Sequence, residues 1–109
     1  NEGLDIKIIY DDVGSSISKK NINFLKTNGV EIYPYMPVLF SRLALKANYR
    51  NHRKIVVIDN EIGFLGGINI SDKYKNPNKI NLYWRDTHIL LKGHAVIDLQ
   101  YIFISDWYF

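Results

Sequence analysis

At 109 residues the chain has room for one domain, which at that length buries roughly two thirds of its extended surface, enough for a real core. Apolar residues at 47% and charged residues at 23% exclude a disordered or low-complexity chain. With no cysteine there is neither a disulfide framework nor a thiolate metal site, and a net charge of +3 gives only a mild preference for anionic partners.

Taken in chain order, Leu4, Ile6, Ile8 and Tyr10 recur at period two, which predicts a strand over 4–10. Ser16 is the expected N-cap of a following helix whose Ile17, Phe24 and Leu25 share a face, and Gly29 stands where a left-handed C-terminal cap is wanted. Val30 to Tyr33, closed by Pro34, is the next strand, and the β-α-β order favours a parallel pair. Phe40 to Asn48 reads as a short helix or an irregular arm.

Lys54 to Ile58 is a continuous apolar run, expected to be a central strand buried on both faces. Asp59-Asn60-Glu61 supplies turn residues, and Ile62 to Leu65 returns antiparallel. Ser71 caps one predicted helical turn, Asn76-Pro77-Asn78 is a loop, and Arg85 to Leu91 is a further strand. After Gly93, residues Ala95, Leu99, Ile102, Phe103 and Asp106 fall at helical spacing. The expected fold class is α/β: a layered sandwich with a mixed, largely parallel central sheet flanked by helices, over residues 1–109 as a single domain.

No apolar run approaches the eighteen or so residues of a membrane span. The first residue is not Met and no leader is evident, and the last residues are Trp107-Tyr108-Phe109, so we expect an excised fragment of a longer protein.

Chemistry concentrates in RNHRKIVVIDNEIGFLGGIN, residues 50–69. On a strand, His52 and Lys54 point to one side and Arg53 to the other. An imidazole nitrogen can attack phosphorus while an ammonium neutralises the non-bridging oxygens, so no cofactor or metal is required. Backbone N–H groups at Gly66 and Gly67 can approach an anion closely, and Asn69 adds an amide donor. Singly each has an ordinary explanation: a surface histidine, a solvated lysine, a glycine bulge. Together, six residue types at set offsets arise by chance on the order of once in a million chains of this length.

The string His52-x-Lys54-x-x-x-x-Asp59, followed by Gly66-Gly67-x-Asn69, resembles the HKD motif of the phospholipase D superfamily. Asn48 to Lys54, Trp84-Arg85-Asp86-Thr87-His88, Asp98-Leu99-Gln100 and Asp106-Trp107 resemble the first catalytic half of bacterial cardiolipin synthases, so the likeness runs from about Leu4 to Trp107. The resemblance implies phosphatidyl transfer. One HKD histidine attacks the phosphodiester, a second protonates the leaving alcohol, and a phosphohistidine is displaced by an incoming hydroxyl. With phosphatidylglycerol as donor and acceptor the products are cardiolipin and glycerol.

Carried over by position, His52 is the nucleophile or the acid/base partner, and Lys54, Asn69, Gly66 and Gly67 bind phosphate. Asp59 is the third letter of the motif, but at an odd offset of seven from His52 it is expected to anchor the turn. Asp86, on the strand after the polar loop, is the expected carboxylate that orients the histidine. His88 and His94 are expected to be a strand polar position and a helix N-terminal residue.

One HKD motif is present and the family's site needs two, so a second half is implied, from a missing C-terminal part or a homodimer. The other implied partners are phospholipids and an anionic membrane surface. The parent is expected in the bacterial cell membrane, the fragment itself soluble. Tyr33, Tyr35, Met36, Leu39 and Phe40 are a candidate lipid rim, with Arg42, Lys46 and Arg50 near headgroups. Two alternatives stay open: a homodimeric metal-independent phosphodiesterase or nuclease, for which alone nucleic acid is a partner, and an inactive half-domain that binds phosphate or anionic lipid.

Overall fold

Alternating apolar residues and well-placed glycines build the elements of the computed structural model, which describes residues 3–37, 50–75 and 83–109. The chain divides into two compact units, Asn1–His52 and Arg53–Phe109. Each is α/β in content, with its own sheet and its own helix.

In the first unit β1 (Ile6–Asp11) and β2 (Val30–Tyr35) form a parallel pair, joined through α1 (Lys19–Thr27). The register Ile8↔Ile32 places apolar residues side by side, and Ile32 is buried. On the alternate positions Lys7 and Glu31 pair across the strands at 3.0 Å. Pro34 lies inside β2, opposite Tyr10, instead of closing it. An edge strand tolerates the missing N–H.

The helix starts later than predicted. Ser18, and not Ser16, is its N-cap, with Oγ accepting from the Asn21 N–H at 3.2 Å. Ile17 therefore falls before the helix, and the half-buried face is Ile22 and Leu25 while Phe24 is 65% exposed. Asn28 and Gly29 end it, Gly29 at φ +81° with its N–H on the Lys26 carbonyl.

In the second unit β3 (Lys54–Ile58), β4 (Ile62–Gly66) and β5 (His88–Lys92) form an antiparallel sheet in that order. The largely parallel sheet expected from the sequence is thus confined to β1 and β2, because the tight turn after Ile58 sends the chain straight back. Nor is β3 central: it lies at an edge of its sheet among the described residues, with Val56 54% and Ile58 45% exposed. Period two explains this. Ile55, Val57, Gly63, Leu65, Ile89 and Leu91 share the face covered by α2 (Ala95–Trp107), and Val56 and Ile58 point the other way.

The close approach of α2 rests on Gly63, where a Cβ would stand 2.8 Å from Leu99 Cδ1, and Val96 and Leu99 are buried there. Arg53 ties the start of β3 to the last turn of α2 by two hydrogen bonds to Asp106, Nε at 3.1 Å and Nη2 at 2.5 Å. No helix among the described residues is long and apolar enough to cross a membrane.

The hairpin turn carries positive φ at both central residues, Asp59 at 52° and Asn60 at 58°, and Glu61 N–H donates to the Ile58 carbonyl at 3.0 Å. Asp and Asn are the non-glycine residues that tolerate this conformation best. We predict that Asp59→Val lowers the unfolding free energy by about 1–2 kcal/mol and that Asp59→Gly stays within about 0.5 kcal/mol. Denaturant titration of both variants checks this.

Candidate functional site

The antiparallel register gathers one end of the second unit's sheet into a polar cluster. Lys54 begins β3, Gly66 ends β4 opposite it, and His88 begins β5 opposite Gly66. All three lie on the face away from α2. Lys54 and His88 are thus two strand spacings apart, about 10 Å, with a residue lacking a side chain between them.

The two glycines make room for side chains. A Cβ on Gly66 would overlap the His88 ring, and one on Gly67 would stand 2.5 and 2.7 Å from the Asp86 carboxylate oxygens. Neither glycine has positive φ, so close approach and not backbone conformation is what requires them. Asp86 itself precedes β5 instead of lying on it. Its Oδ1 accepts the Thr87 N–H at 2.7 Å, a local side chain-to-backbone bond just before the strand.

Asn69 reaches the same end of the unit through the loop after β4, where its Nδ2 donates to the Tyr74 hydroxyl oxygen at 3.2 Å. Tyr74 closes the 3-10 turn Asp72–Tyr74, a single helical turn as the sequence predicts, with Ser71 at the N-cap position but making no side-chain capping bond. Its phenol is held below the usual tyrosine range by the Asn69 hydrogen bond first, then by Lys73, with a smaller contribution from the Lys54 charge. Lys54, Asn69 and Tyr74 therefore belong to one electrostatic neighbourhood. Asp59 does not, since it stands at the far end of β3, about 17 Å along the strand from Lys54.

His52 is the last residue of the first unit. The backbone leading to it is fixed by Asp11, whose Oδ2 accepts the Asn51 N–H at 2.8 Å across 40 residues of sequence, while its Oδ1 accepts from Gly14 N–H. Asp11 follows the strand pattern of 4–10, which gives it no role of its own. Its signal was the Asp-x-x-Gly spacing of a side-chain-closed turn, which gives no hint of the second acceptor bond. Tyr74 and His88 were likewise missed as members of the cluster, though the period-two register of β5 with β4 brings out His88. Of the candidate lipid rim, Leu39, Phe40, Arg42 and Lys46 lie outside the described residues, as do the 40–48 arm and the Asn76-Pro77-Asn78 loop.

Because the His88 ring occupies the space beside Gly66, Gly66→Ala is expected to lower stability by about 1–3 kcal/mol. His88→Ala in the same chain should restore most of it. Additive losses in denaturant unfolding of the single and double variants would mean the ring does not sit there.

Comparison with known proteins gives the family. Residues 1–107 match the family model described as cardiolipin synthase, PLD-like domain. The chain is 52% identical over 109 residues to cardiolipin synthase 2 of Bacillus cereus, covering 99% of this chain and 21% of that protein. It is 48% identical over 109 residues to the cardiolipin synthase of Geobacillus kaustophilus, covering 99% and 22%. Against the cardiolipin synthase of Clostridium perfringens it is 44% identical over 106 residues, covering 97% and 22%. No solved structure matches significantly. The chain spans about a fifth of the length of the curated relatives it matches. It belongs to the cardiolipin synthase PLD-like domain family.

Proposed function

We propose that this chain is one phospholipase D-like half of a longer two-motif protein that transfers phosphatidyl groups, making cardiolipin from two molecules of phosphatidylglycerol. The observation that carries the reading is family membership over 1–107 with the whole string His52, Lys54, Asp59, Gly66, Gly67 and Asn69 intact inside it. In this reading a histidine nitrogen forms a bond to phosphorus as the P–O bond to the departing glycerol breaks. A second HKD histidine, from the other half, gives that glycerol its proton. The same group then takes the proton of the incoming hydroxyl as its oxygen displaces the histidine.

His52 is one of that pair. Lys54 and Asn69 bind the non-bridging oxygens, where preorganised donors lower the barrier most. The N–H groups of Gly66 and Gly67 complete the anion cradle. Asp86 is the carboxylate that fixes the histidine tautomer, while Asp59 supports the reaction only by holding the hairpin turn. The other half comes from the remainder of the longer protein, and the phospholipid surface is the substrate phase.

The test uses the intact protein that contains this chain, with phosphatidylglycerol vesicles. It is expected to form cardiolipin and free glycerol in equal amounts. His52→Ala and Lys54→Ala should each lower the rate by about a thousandfold or more, as removal of members of a cooperating catalytic set does. Rates within a few-fold of wild type for His52→Ala would overturn the assignment.

A further inference from the structure

We propose that Tyr74 is a positioning residue for Asn69, its phenol oxygen holding the carboxamide in the one orientation that turns a free N–H toward a phosphate oxygen. This rests on the proposed phosphate contact of Asn69 and adds a residue to it.

A primary amide has two orientations of nearly the same shape, which exchange its NH2 and its carbonyl oxygen. Facing an anion they are not equivalent. One offers a donor and the other sets an oxygen against an oxygen. The Nδ2 group of Asn69 has two hydrogens, and the bond to Tyr74 at 3.2 Å uses one of them. The other is left for a ligand.

That bond can select an orientation only if the phenol is itself fixed and acts as acceptor. Its ring stands edge-on against Trp84, with centroids 4.9 Å apart and an interplanar angle of 81°, and the Lys73 ammonium lies 4.8 Å from the ring centroid. Trp84 arrives from the segment before β5, so the ring is held by contacts outside its own turn. The nearby ammonium groups of Lys73 and Lys54 make the surroundings of the phenol oxygen positive, which favours its lone pairs facing them and Asn69.

Tyr74→Phe removes the acceptor and keeps the ring against Trp84. In the intact protein on phosphatidylglycerol vesicles we expect kcat to fall about tenfold, the worth of roughly one hydrogen bond in the transition state, with KM within about twofold and the melting temperature unchanged. In an Asn69→Ala background, Tyr74→Phe should cost nothing further, because there is no amide left to orient. A wild-type rate for Tyr74→Phe, losses that multiply in the double variant, or a fall in melting temperature that accounts for the lost rate would each overturn the proposal. If Asn69→Ala keeps the wild-type rate, the phosphate contact falls and Tyr74 with it; if Asn69→Ala is impaired and Tyr74→Phe is not, only the Tyr74 proposal falls.

Discussion

The register of β4 between β3 and β5 is the constraint from which the second unit's site follows. Because side chains alternate along a strand, pairing Gly66 with Lys54 on one side and with His88 on the other commits all three to a single face. A slip of one residue would send Lys54 to the face that α2 covers. The turn at Asp59-Asn60 fixes that register at one end, and the packing of Leu99 against Gly63 fixes which face the helix takes. A third contact, between Arg53 and Asp106, draws the strand entrance down onto that helix, so the alternation that sends Lys54 one way uses its neighbour as an anchor the other way.

Much of this was legible in the sequence because the signals are local. Lys54–Ile58 begins and ends where the apolar run does, the hairpin follows from Asp59-Asn60, and Gly29 stops its helix as its position demands. Other features could not be read, each for a physical reason. A run such as Ile55-Val56-Val57-Ile58 looks the same on an edge strand as on a central one, since composition does not report what lies alongside. Ser16 and Ser18 are both able to cap, and only the hydrogen bond to Asn21 separates them. Asp86 looks like a strand residue by position, but the strand begins at His88 and the Asp86 side chain bonds the backbone N–H just before it.

Long-range polar contacts lie furthest from what periodicity can show. The motif names His52, yet the bond that fixes the backbone before it comes from Asp11, at the end of another strand. The motif also names Asn69, whose partner Tyr74 sits in a turn with no pattern beyond its cap. In both cases the residue with the recognisable chemistry is held by one without it. A motif marks the first kind, and the fold alone brings in the second.

The glycine pair has a consequence for how such a site can change over time. At Gly66 and Gly67 the volume that a side chain would fill already belongs to His88 and Asp86, so a side chain added at either position must displace a neighbour. Replacement there has to be paired, a larger residue at 66 with a smaller one at 88, or a larger one at 67 with a smaller one at 86. The positions are linked two by two, so this end of the sheet changes by coupled steps and not by single ones.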